Sequence, residues 1–154
     1  MKARTIVLTL LLCVLGAVAL FAQDVQMGTW RLIEAKSRFS AGATRYSVVV
    51  FRAAGDEVTV TVGGTDAHGK PTRNEWRGKF NGKDYAVVGN ASEDTRSFTI
   101  VDDHTLGFDT KKGGEITISG RIVVSGDGRS RTVTTTGTDS RGRKFTSIAV
   151  YEKQ

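Results

Sequence analysis

The sequence contains one cysteine, one proline and only two histidines in 154 residues. Its cysteine, Cys13, lies in an apolar stretch near the N-terminus, so the rest of the chain has no thiol nucleophile, thiolate ligand or disulfide. Two histidines also leave little with which to build a metal centre or an activated nucleophile. The folded domain must therefore be held together by its apolar core alone.

The N-terminal segment has the form of a secretory signal peptide. Lys2 and Arg4 supply positive charge, a nearly uninterrupted apolar run follows them, and small residues come next. We predict a signal peptide over 1–22, cleaved after Ala22, with cleavage after Ala19 as the alternative. An uncleaved membrane anchor is the other interpretation, because the apolar run is nearly long enough to span a bilayer.

Basic residues outnumber acidic ones, 22 to 16, which gives a formal net charge of +6. Loss of Lys2 and Arg4 with the signal peptide leaves 20 basic residues against 16, or +4. The two signs alternate locally, as in "RNEWRGKF", which favours a solvated mixed surface over a nucleic-acid site. We therefore expect a periplasmic or secreted protein with no nucleic-acid partner and no transmembrane segment after cleavage.

The region after the signal peptide predicts β-structure throughout and no helix of any length. Short segments rich in Val, Thr, Ile and aromatic residues alternate with turns such as "AAGDE", "NGK" and "SGDG". The predicted strands are Thr29–Ala35, Thr44–Ala53, Glu57–Gly63, Pro71–Phe80, Lys83–Val88, Thr95–Val101, Thr105–Thr110, Glu115–Val124, Arg131–Gly137 and Arg143–Lys153.

A run of ten antiparallel strands has two unpaired edges unless the first strand pairs with the last. Closure into a barrel removes both edges, and the short hairpin links favour up-and-down order. We predict an all-β domain over 23–154, a single antiparallel up-and-down β-barrel of about ten strands. A two-sheet sandwich is the alternative architecture.

Alternation along the strands assigns aromatic side chains to the interior. In Pro71–Phe80, Trp76 and Phe80 share one face while charged residues occupy the other. Such an interior is either a solid core or the lining of a cavity. The strand number and the aromatic side chains favour a cavity for one small ligand.

Two motifs resemble a phosphate-binding loop and a metal site, but their residues are more typical of turns. Gly-Thr-Asp-x-x-Gly occurs at 64–69 and at 137–142. Its Asp and final Gly suit the first and fourth positions of a type I turn, and no helix follows to hold a phosphate. "VDDHT" at 101–105 suggests a metal site, yet adjacent residues of a tight turn rarely converge on one ion, which favours a solvated turn.

The two ends of the mature region resemble fatty-acid-binding proteins, within the calycin superfamily that also holds the lipocalins. "GTWRLIEAKSRF" is similar to their opening Gly-x-Trp segment, and "FTSIAVYEKQ" is similar to their last strand, which commonly ends in Tyr-Glu-Lys. The resemblance implies a closed or nearly closed barrel, with Trp30 as a structural plug at one end and a small apolar ligand inside. With the signal peptide, it implies a small exported bacterial protein of lipocalin-like form.

Two departures from that family bear on the ligand. The family's arginine two residues before the final tyrosine holds the ligand carboxylate; Ala149 stands there, so only Tyr151 of the pair is kept. Burying a carboxylate without its arginine is costly, which predicts an uncharged ligand. Arg52, Arg96 and Arg121 are candidates to replace the missing base. The family's helical lid is also absent, because the link after the first strand is too short.

These observations predict an exported protein that holds a small apolar, uncharged ligand inside its barrel. The predicted ligand-binding residues are Tyr46, Trp76, Phe108, Phe145 and Tyr151. The alternative is a periplasmic interaction or inhibitor protein that acts through the loops of a filled barrel. We expect a monomer with no enzymatic activity, no cofactor and no bound metal.

Overall fold

A computed structural model describes residues 23–41, 43–66, 68–138 and 141–154. The predicted signal peptide, 1–22, and with it Cys13, lies outside the described residues. The ten strands are β1 Gly28–Leu32, β2 Arg45–Ala54, β3 Glu57–Thr65, β4 Pro71–Gly78, β5 Tyr85–Val88, β6 Thr95–Ile100, β7 Thr105–Lys112, β8 Glu115–Val124, β9 Ser130–Thr138 and β10 Lys144–Lys153.

The strands form one closed antiparallel barrel. Each strand pairs with its neighbours in sequence, and β1 also pairs with β10. At this closing seam Trp30 lies opposite Lys153, and Leu32 lies opposite Tyr151. The predicted all-β up-and-down barrel is therefore confirmed, and the two-sheet sandwich is wrong, because every described strand has a partner on both sides.

The predicted strands match the observed ones, and the differences lie at their ends. β1 stops at Leu32 instead of Ala35, because the chain then turns into a 3-10 helix, Glu34–Lys36. Between β1 and β2 the described residues contain this single helical turn, in agreement with the absence of the family's helical lid. A further helical turn precedes β1 at 23–26. None of the described helices is both long enough and apolar enough to cross a membrane.

The first Gly-Thr-Asp-x-x-Gly motif forms the predicted turn between β3 and β4. The amide of Gly69 donates to the carbonyl oxygen of Asp66 at 3.0 Å. The Asp66 carboxylate accepts from the amides of His68 and Lys70 at 2.9 and 3.0 Å. Gly69 adopts a φ of +77°, which glycine tolerates without strain. Asp139, its counterpart in the second motif, lies outside the described residues.

One end of the barrel, here called the base, is closed around Trp30. The indole is fully buried, and its Nε1 donates to the carbonyl oxygen of Gln26 at 2.9 Å. Gln26 Nε2 in turn donates to the carbonyl oxygen of His104, in the β6–β7 turn, at 3.2 Å. The guanidinium of Arg131 lies 4.7 Å from the centre of the indole. The two hydrogen bonds of Gln26, to Trp30 and to the backbone at His104, thus hold the helical turn at 23–26 against the base.

We expect Trp30→Ala to lower the free energy of unfolding by about 4 kcal/mol, because it empties a fully buried site and removes the donor to Gln26. Trp30→Phe should cost less, since it keeps most of the apolar volume. Urea titrations followed by circular dichroism measure both changes. Val88→Ala, at a side chain that is 71% exposed, is the control and should change stability by less than about 0.5 kcal/mol. A Trp30→Ala protein as stable as the wild type would contradict the structural role.

Candidate ligand-binding cavity

The barrel contains a cavity of about 470 Å³. This volume lies within the range of small-molecule sites, about 300–1,000 Å³. The middle of its wall is apolar and is formed by Val49, Phe51, Val60, Val62, Phe98, Phe108, Ile122 and Val133. The sequence expectation of a cavity instead of a solid core is therefore confirmed.

Strand β9 shows how the cavity runs along the barrel. Arg131, Val133 and Thr135 line it in that order, as alternation along a strand requires. Arg131 lies next to Trp30 at the base, and Thr138 lies at the opposite end of β9, here called the rim. At about 3.3 Å per residue, Arg131 and Thr135 are about 13 Å apart along the strand. The cavity thus has a charged floor, an apolar middle and hydroxyl groups toward the rim.

Four of the five predicted ligand-binding residues line the cavity: Tyr46, Phe108, Phe145 and Tyr151. Two glycines position two of these aromatic rings. Gly120 lies opposite Phe108 on the neighbouring strand, and Gly137 lies opposite Phe145. A Cβ atom at Gly137 would approach Phe145 Cζ to 2.8 Å, and one at Gly120 would collide with the Phe108 ring. Because Gly120 and Gly137 have no side chain, the rings of Phe108 and Phe145 can occupy the space next to them.

Trp76 is the exception and requires a correction, because it does not line the cavity. Its indole is fully buried among other rings, with centroids 4.8 Å from Phe98, 5.7 Å from Tyr85 and 6.2 Å from Phe80. Its Nε1 donates to the carbonyl oxygen of Arg96 at 2.7 Å. Alternation correctly predicted that Trp76 points inward, but these neighbours fill the space in front of it, so it belongs to the core.

The two tyrosines of the cavity wall remain neutral across the ordinary pH range. Burial raises the pKa of Tyr151 to about 12, and burial also raises the pKa of Tyr46. The Tyr151 hydroxyl donates to the carbonyl oxygen of Tyr46 at 3.0 Å. Its proton is therefore already used within the protein, and a ligand meets mainly its ring and its oxygen lone pair.

A buried ion pair lies in the cavity wall. Arg96 donates to both oxygens of the Glu93 carboxylate, from Nε at 3.2 Å and from Nη2 at a shorter distance. Asn74 Oδ1 accepts from Arg96 Nη2 at 3.3 Å, and Asn90 Nδ2 donates to Glu93 Oε1 at 2.8 Å. Both charged side chains are almost completely buried. Glu93 balances the charge of Arg96, so this pair adds no net charge to the cavity.

The three arginines proposed from the sequence to replace the missing base do not supply a free one. Arg52 and Arg121 are exposed on the outer surface of the barrel. Arg96 does point inward, but its guanidinium is already paired with Glu93. Sequence reasoning missed a second arginine that lines the cavity, Arg131, although its alternation with Val133 on β9 could have revealed it.

Arg131 is the unusual residue of this site. It is 2% exposed, and its guanidinium lies 4.7 Å from the centre of Trp30, 4.8 Å from Phe51 and 5.1 Å from Tyr151. Its Nε and Nη1 atoms are buried and have no hydrogen-bond partner among the described residues. Burial lowers the pKa of Arg131 to about 9, so the side chain is still cationic at neutral pH.

The histidines lie away from the cavity. His68 is exposed in the β3–β4 turn, and His104 lies in the β6–β7 turn with Nδ1 3.2 Å from Asp103 Oδ1. The amide of His104 donates to Asp102 Oδ1 at 2.9 Å, which confirms the turn predicted for "VDDHT". Within the described ranges, no three His, Cys, Asp or Glu side chains are grouped so that they could hold a metal ion.

We expect Glu93→Gln to lower the free energy of unfolding by about 3 kcal/mol, because Arg96 would remain buried beside a neutral amide. The matched control is Glu57→Gln, which removes the exposed pair with Arg77 and should cost less than about 1 kcal/mol. Urea unfolding of the three proteins measures the difference. Equal free energies of unfolding for the two variants would show that the charge of Glu93 does not contribute to stability.

Comparisons with known proteins agree with the fold. No protein-family model and no curated protein matches the sequence. Among solved structures, that of EF1p2_mFAP2b bound to DFHBI has a TM-score of 0.50 and 12% identity, over 86% of this chain and 97% of that chain. The redesigned beta barrel b11L5F_LGL has a TM-score of 0.50 and 15% identity, over 86% of this chain and 95% of its own. At these identities the similarity shows the fold alone, a β-barrel.

Proposed function

We propose that this protein binds a small, predominantly apolar molecule inside its barrel. The observation that carries the proposal is the cavity of about 470 Å³, whose middle is apolar and whose remaining lining includes threonine hydroxyls, the Glu93–Arg96 pair and Arg131. A ligand with about ten buried methylenes gains about 8 kcal/mol before the costs of association. The similarly folded EF1p2_mFAP2b is bound to DFHBI, which is consistent with ligand binding by a barrel of this form.

Two other functions receive less support. An interaction protein that acts through the loops of a filled barrel does not need a cavity of this size. Catalysis on a bound ligand needs an activated nucleophile or a general base, and neither His68 nor His104 is among the cavity-lining residues. We therefore propose binding without chemistry.

A neutral apolar fluorophore, N-phenyl-1-naphthylamine, tests interior binding. We expect its fluorescence to rise on addition of the wild-type protein. Thr135→Phe places a ring in the cavity and should weaken the probe's affinity about tenfold or more, since it occupies the volume that the probe needs. Thr134→Phe makes the same change on the adjacent residue of β9, which does not line the cavity, and should leave the affinity unchanged.

The outcomes separate interior from surface binding. Equal weakening by both variants, or by neither, would place the probe outside the barrel. No fluorescence change with a folded wild-type protein would contradict the proposed function.

We also propose that the chain is exported, on the basis of the predicted signal peptide over 1–22. Expressed at full length in a Gram-negative host, it should be recovered from the periplasm or the medium with an intact mass that begins at Gln23 or, for the alternative cleavage, at Leu20. Leu11→Arg interrupts the apolar run and should leave the protein uncleaved in the cytoplasm. A wild-type chain that keeps its first 22 residues would contradict cleavage.

A further inference from the structure

We propose that the floor of the cavity binds an anionic head group, with the guanidinium of Arg131 as its counter-ion. The ligand class is then an amphiphile with an apolar body and one acidic group, which enters with that group toward the base. This inference rests on the interior binding proposed above and adds the charge and the orientation of the ligand.

The first argument is the state of the Arg131 guanidinium. It is buried at the floor of the cavity, and two of its three nitrogens, Nε and Nη1, have no hydrogen-bond partner in the described part of the chain. Buried charges in proteins are normally paired, because the loss of hydration costs several kcal/mol. A negatively charged acceptor would balance the charge and pair with one of these two donors, which point to opposite sides of the guanidinium.

The second argument is the contrast with Arg96 in the same cavity wall. Arg96 has Glu93 on two of its nitrogens and Asn74 as a further acceptor. No carboxylate of the described residues bonds to Arg131 in the same way. The cavity wall therefore pairs one buried arginine within the protein and leaves one positive charge at the floor, which is complementary to a single anion.

The third argument concerns how the guanidinium is held. The rings of Trp30, Phe51 and Tyr151 lie within 5.1 Å of Arg131 Cζ and offer cation–π stabilisation. These contacts fix the group but supply no conventional hydrogen-bond acceptor, so its buried Nε and Nη1 donors remain unsatisfied.

Arg131 also changes the expectation drawn from Ala149. The uncharged ligand was predicted because Ala149, on β10, replaces the arginine that holds a carboxylate in the resembling family. Arg131 on the adjacent β9 lies directly opposite Tyr151 in the strand register. The cationic group that β10 lacks is thus present beside the same tyrosine, but it comes from another strand.

Two probes that share one apolar body test the proposal. 1-Anilinonaphthalene-8-sulfonate is N-phenyl-1-naphthylamine with an added sulfonate. Arg131→Met should weaken binding of the sulfonate about ten- to a hundredfold more than it weakens binding of the neutral probe. Arg52→Met makes the same charge change on the outer surface and should alter neither affinity. Circular dichroism verifies that each variant is folded.

The outcomes distinguish the anionic floor from the interior binding on which it rests. If the folded wild type binds neither probe, interior binding itself fails. If the neutral probe binds and Arg131→Met leaves the sulfonate affinity unchanged, only the anionic floor is wrong. If Arg131→Met does not fold, the Nε–Hε NMR signal of Arg131 in the wild type gives the answer. That signal should shift with dodecanoate and not with 1-dodecanol, and an unshifted signal with bound dodecanoate would overturn the proposal.

Discussion

The pairing of β1 with β10 is the constraint on which the rest of this structure depends. Without it, a ten-stranded meander would expose two edges and one apolar face. With it, the apolar faces of all ten strands point toward a common axis. A barrel of ten strands is wider than one of eight, whose side chains are just able to fill the interior. The cavity is therefore a consequence of closure at this strand number.

The same seam builds the base of the barrel. It brings Trp30 near the N-terminal end of the domain next to Lys153 near the C-terminus. One strand further round the barrel, the register places Tyr151 opposite Arg131. Residues far apart in the chain thus meet in one buried cluster of rings around a guanidinium. Stability at the base and charge at the cavity floor come from the same contacts, so a change at Trp30 is expected to affect both.

The polar groups of the interior differ in whether they have hydrogen-bond partners within the protein. The Glu93–Arg96 pair satisfies itself within the wall, and the hydroxyl of Tyr151 is bonded to the backbone at Tyr46. Among the described residues that line the cavity, only Arg131 has buried donors without partners. Most of the wall is therefore suited to an apolar body, while one position is suited to an anion. This distribution supports a ligand with two chemically different ends.

Much of this architecture could be predicted from local patterns. Alternation placed Trp76 and Phe108 on inward faces, and the Asp and Gly of "GTDAHG" predicted the turn that Asp66 and Gly69 form. Period and turn chemistry are properties of neighbouring residues, which a sequence displays directly. The resemblance of the two ends to calycins also predicted closure correctly.

What the sequence by itself determined is the strand order, the inward faces and the closed barrel. The tertiary structure alone decided which inward residues reach open space. Trp76 and Phe108 look equivalent in the sequence, yet only Phe108 lines the cavity, because Phe98, Tyr85 and Phe80 pack against Trp76. Likewise, the rings that surround Arg131 on β9 come from β1, β2 and β10. Such outcomes depend on distances between separate strands, which no local pattern contains.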